Sequence, residues 1–180
     1  MKTSNAALVF ALLTWGGASV AAAEDLQPAQ QRFVAINDAV AAALEGSANP
    51  KIDSLIATLD RRSKALCQVA PNGVIAGWQA VVAKVDEADG SIELLVSPTA
   101  RLQADNLASL GDALAFSGTP KTGDMVLISG QLTLEAEHCF RQQGDLTAQA
   151  LAAPVYDFAL SAISLVGDGT PSPDAPGVDD

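Results

Sequence analysis

The chain has 180 residues, of which 21 are acidic and 10 are lysine or arginine, giving a formal net charge of −11. Affinity for nucleic acid comes largely from neutralised phosphates, so a chain this acidic with no dense basic tract is a poor candidate for DNA or RNA, and an anionic membrane surface is disfavoured on the same ground. Its length and its 49% hydrophobic content fit one domain with a sizeable core better than two.

Residues 1–23 carry Lys2, an apolar run centred on residues 7–13, and Ala21-Ala22-Ala23 ahead of Glu24-Asp25. That order predicts a cleaved secretory signal peptide. The alternative, a membrane anchor, needs roughly 20 consecutive apolar residues, which this run does not reach. No cysteine sits at the cleavage point and no Asn-x-Ser/Thr acceptor occurs, so the expected location is the periplasm of a Gram-negative bacterium, with no membrane insertion after cleavage. Loss of Lys2 brings the mature chain to about −12.

Over residues 28–44, Phe33, Ile36, Val40, Ala43 and Leu44 recur at spacings of three and four, predicting a helix with one buried stripe that Gly46 ends. Asn49-Pro50 restarts the chain as N-cap and first helical position of a second helix, with Ile52, Leu55, Ile56, Leu59, Leu66 and Cys67 as its inner face. The pair makes a helical hairpin over residues 24–75. Arg61, Arg62 and Lys64 fall towards its C-terminal end, where positive charge complements the helix dipole; they read as a solvated face, with a docking patch as the alternative. Pro71-Asn72-Gly73 breaks the helix.

The strongest β signals lie in residues 77–134. Residues 78–85 and 92–96 are joined across Asp89-Gly90, a pair suited to a tight hairpin turn. Residues 98–109 read as a break. Two more strands are expected at 113–117 and 125–134, introduced by Gly111-Asp112 and Gly123-Asp124, and Gly130 marks a bulge or bend that closes a small barrel. A last β run over 155–166 places Tyr156, Phe158 and Leu160 on one face, then slips to Ile163 and Leu165 on the other, as at a bend. The acidic tail 167–180 has no residue large enough to bury much surface and reads as disordered. Together these predict an α+β fold, a helical hairpin packed on a small barrel over residues 76–166.

Only Cys67 and Cys139 are present. In an oxidising compartment they are expected to pair, clamping the helical hairpin onto the barrel; a reactive thiol, or a metal pair with His138, is the alternative reading. Trp78, at a strand start, is either an exposed stacking platform for a ligand or a core plug. No Gly-x-Ser-x-Gly, His-Glu-x-x-His, phosphate loop or dinucleotide fingerprint occurs. Glu135 and Glu137 read as the solvated side of a strand, and His138 has no identifiable catalytic partner, so no catalytic residue, cofactor or metal site is assigned.

Trp78-x-x-Val81, Gly123-Asp124-x-Val126-x-x-Ser129-Gly130, Cys139 followed by Leu146-Thr147, and Pro154-x-Tyr156-x-Phe158 with Ile163 occur in this order. Over residues 77–164 the chain thereby resembles exported bacterial envelope proteins with an OB-like domain, similar to the tRNA-anticodon-like OB family. The resemblance implies a five-stranded Greek-key barrel used as a binding or assembly module. It also implies nucleic-acid binding, which export and acidity oppose. The partner expected is an envelope protein or an uncharged glycan, met at the barrel face of the first three strands with Trp78 at its rim. A structural or stress-related periplasmic protein without a ligand is the alternative, and an enzyme the remote one.

Overall fold

The computed structural model describes residues 26–45, 50–110 and 119–166. The expected signal peptide, Gly46, Asn49, the strand expected at 113–117 and the tail from 167 lie outside these residues.

Helix α1 runs Pro28–Glu45 and α2 runs Ile52–Val69, the expected helical pair. Pro28 is tolerated at the first position because its missing N–H would have no intrahelical partner there. The α2 N-cap is Lys51 rather than Asn49, with no side-chain cap; its carbonyl accepts from the backbone of Ser54 and Leu55 at 3.0 and 3.1 Å. The buried row of α2 is Leu55, Arg62 and Leu66, whereas Ile52 and Ile56 are 56% and 44% exposed. The first turns of α2 therefore present two of the expected inner residues to solvent. On α1, Gln30, Phe33, Asn37 and Ala41 are buried, and Ala43 is exposed.

Five strands follow: β1 Val74–Asp86, β2 Ser91–Ser97, β3 Ala100–Ala104, β4 Met125–Leu132 and β5 Val155–Leu165. They close into a barrel in the order β1-β2-β3-β5-β4, antiparallel everywhere except β3 against β5. This is an α+β fold with a closed five-stranded, OB-like barrel behind a helical pair. The β1 strand begins at Val74, so a boundary near residue 75 falls inside it. The stretch read as a break contains β3, where Ala100, Leu102 and Ala104 alternate inward. A one-turn helix α3, Ala148–Ala152, was also not expected; Thr147 caps it by accepting from the Ala150 N–H at 3.1 Å.

The barrel interior is filled by apolar side chains in cross-strand rows. Val82, Leu94, Leu102 and Tyr156 form one row, and Trp78, Ile128 and Ile163 another, all at 1% exposure or less. Closure needs irregularities, and the register shifts within each antiparallel pair. Opposite Ser129-Gly130 one extra residue, Ser161, enters β5, which is why its inward set slips from Leu160 to Ile163. A Cβ on Gly130 would collide with the Ala159 carbonyl and the Phe158 ring, so glycine is required there by close approach. At the β1–β2 turn Gly90 has φ 65°, as the Asp89-Gly90 signal predicts.

Two side-chain amides extend the barrel where backbone pairing stops. Gln79 lies beyond the last β1–β2 pair, and the Gln30 amide bonds its backbone N–H and carbonyl at 2.9 and 2.6 Å. Asn106 and Leu160 each stand three residues beyond the last parallel pair, Gln103 with Asp157, and the Asn106 amide bonds the Leu160 N–H and carbonyl at 3.0 and 2.7 Å. Each amide supplies a donor and an acceptor at strand spacing, which is what an absent neighbouring strand would have supplied.

Candidate functional site

Helix α1 seals one end of the barrel. Phe33 is fully buried, with its ring 5.1 Å from Trp78 and 5.3 Å from Tyr156 in tilted and edge-on packing. Trp78 is 1% exposed. The stacking-platform reading is thereby corrected: the indole is the core plug, because the helix laid across the strand start removes its face from solvent. The barrel interior is filled and this end is covered by Phe33.

The outer face of β1, β2 and β3 lies on the other side of these strands from the core. Val81, Leu95 and Arg101 form a row across it, and Glu93 pairs beside Gln103. Arg101 Nη1 donates to Glu93 Oε1 at 2.8 Å. Two open clefts lie where β3 meets β5 and α3, away from β1 and β2. One, of about 340 Å³, includes Gln103, Asp105, Thr133 and Asp157; the other, of about 320 Å³, includes Arg101, Thr147 and Gln149.

A second constellation lies beneath the helices. Arg62, expected on a solvated face, is 1% exposed, and α2 has no basic residue in its last turn. Arg62 Nη1 donates to the Leu151 carbonyl of α3 at 2.6 Å and Nη2 to Gln142 Oε1; no carboxylate pairs with it among the described residues. Burial pushes the guanidinium below its ordinary pKa, an effect the nearby Tyr156 partly offsets. The same burial raises the Tyr156 phenol to about 12, against the opposing pull of Arg62 and of Asn37. Tyr156 Oη donates to Asn37 Oδ1 at 2.7 Å, while Asn37 Nδ2 donates to the Phe33 carbonyl at 2.9 Å. None of these polar positions was legible as buried in the sequence. Gln30 and Asn37 stand at i and i+7 on α1 with Phe33 between them, and that shared helical face is the signal that could have found them.

Cys67 and Cys139 are disulfide-bonded with Cα atoms 5.5 Å apart, which joins α2 to the segment after β4. A disulfide forms and persists in an oxidising compartment, the environment an exported chain meets. The reactive-thiol and metal readings of these cysteines give way to the bond. Glu135 and Glu137 lie in an exposed bend, not on a strand, because β4 ends at Leu132 and only Leu134 bridges back, to Phe140. The His138 Nδ1 is 3.8 Å from Asp60 Oδ1 and has no hydrogen-bond partner. Glu135, His138, Gln142 and Asp145 line a small cleft of about 140 Å³ against Leu59 of α2 and Leu151 of α3. Among the described residues no group of three His, Cys, Asp or Glu side chains is placed to hold a metal, and no helix is long and apolar enough to cross a membrane. No family model, curated protein or solved structure matches this chain.

Proposed function

We propose that the protein is a non-catalytic binding or accessory module of the bacterial envelope, working in the periplasm, and that its OB-like barrel meets a protein or an uncharged glycan on the outer face of β1, β2 and β3. The observation that carries this reading is the contrast between a filled, helix-sealed barrel and an outer face that pairs Arg101 and Glu93 with Leu95 and Val81, next to two clefts along β3. OB folds use this face for ligands. The acidic balance of the chain argues for a partner without phosphates. Trp78 has no part in the contact, since it is buried.

A photo-crosslinking residue at Gln103, displayed on the exported protein, tests the reading. A discrete crosslinked species from envelope extract, lost on Leu95→Asp with the fold retained and kept on Ile56→Asp, is the expected result. No crosslink at this face would instead favour a structural role without a ligand. Single-stranded oligonucleotide binding at physiological salt would overturn the exclusion of nucleic acid.

A further inference from the structure

The small cleft between α2, α3 and the segment after β4 has a lining chemistry unlike that of the barrel face. Leu59, Leu146 and Leu151 supply apolar wall, Glu135 and Asp145 supply two carboxylates, and neither lysine nor arginine lines it. Arg62 stands behind this wall with two nitrogens committed to Gln142 Oε1 and the Leu151 carbonyl. An anion entering the cleft meets two carboxylates; a neutral donor can hydrogen-bond to them, but only a cation gains charge attraction as well. An alkyl stem with a terminal cation satisfies both halves of the lining, since the stem lies on leucine and the cation reaches the carboxylates. At about 140 Å³ the cleft admits one side chain rather than a peptide strand. From this complementarity of shape and charge we infer that the cleft is a docking socket for a lysine side chain presented by a basic segment of a partner protein.

The inference does not rest on the barrel-face reading, and the two fail separately. The probe is a short labelled oligolysine peptide, titrated into the disulfide-bonded protein at low and at physiological salt. Glu135→Gln with Asp145→Asn is expected to weaken binding by about tenfold, because the two carboxylates that line the cleft no longer attract the cation. Glu87→Gln with Asp89→Asn, in the β1–β2 turn, removes the same net charge and is expected to change affinity by less than about twofold, as is Leu95→Asp on the barrel face. An oligomer of a basic residue with a one-carbon stem, at equal charge, is expected to bind more weakly than oligolysine. Equal losses from the two charge-removing pairs, or equal affinity for the short-stemmed peptide, would overturn the socket and leave a general attraction to an acidic protein. His138 is the only histidine, so its ring resonances report occupancy independently of any variant. They shift on oligolysine addition if the cleft is the site, and a static ring at saturation refutes it.

Discussion

The barrel interior and the helical layer at its end are held by different physics. Inside the barrel, fully buried side chains are almost all aliphatic or aromatic, and the Tyr156 hydroxyl finds its partner on a helix. Of the four buried polar or charged residues among those described, three belong to α1 and α2: Gln30, Asn37 and Arg62. An apolar core tolerates substitution of similar volume because its many contacts are interchangeable. A buried amide or guanidinium has a few specific partners, and removing any one of them leaves another group desolvated and unpaired. The difference teaches that the barrel is specified by pattern, while the helices join its core through a few apolar residues such as Phe33 and Leu66 and are pinned there by one disulfide and a few polar contacts.

The largest expected effect breaks the covalent pin. Because the bond spans a sequence separation of 72, replacing both cysteines by serine should lower stability by roughly 4 kcal/mol on the chain-entropy estimate. Urea denaturation measures the loss. Hydrogen exchange should show α2 and residues 134–140 losing protection before the β1–β4 ladder does; equal loss in both regions would contradict the comparison.

Next is the charged pin. Arg62→Ala removes a buried side chain and strands the Leu151 carbonyl and the Gln142 side chain, for a cost of about 3 kcal/mol. Lys64→Ala, on the exposed side of the same helix, should stay within roughly 0.5 kcal/mol. Similar costs for the two would return Arg62 to the solvated face.

The third test is pH. The Tyr156 phenol is raised from 10.0 to about 12 by burial, so its neutral form is favoured by folding. The corresponding stability is fully present below the unfolded value near pH 10 and is lost as pH climbs through the folded value near 12, up to about 2.5 kcal/mol. Tyr156→Phe should lack this alkaline step and cost about 1 kcal/mol at neutral pH, where Asn37 Oδ1 loses its donor. Since Tyr156 is the only tyrosine, phenolate absorbance follows its ionisation directly. Titration at the ordinary tyrosine value in the folded protein would show the helix end to be wetter than the packing of Phe33 allows.

The sequence by itself determined the helical pair, four of the five observed strands in part or whole, the hairpin at Asp89-Gly90, the role of Gly130 and the pairing of Cys67 with Cys139. These are local patterns or have a single solution: apolar spacing, turn chemistry, and two cysteines with only each other. It missed β3 because Ala100 and Ala104 are too small to raise a β signal; what makes them strand is the depth at which Leu94 and Tyr156 close over Leu102. The tertiary structure alone decided that Trp78 is covered, that Arg62 faces inward while Ile52 and Ile56 face out, and that Gln30 and Asn106 stand in for strand neighbours. In each case burial follows from where a distant segment lies: Arg62 meets Leu151 across a separation of 89 residues and Tyr156 meets Asn37 across 119. Helical periodicity says which residues share a face, but only packing against residues far along the chain decides which face is dry.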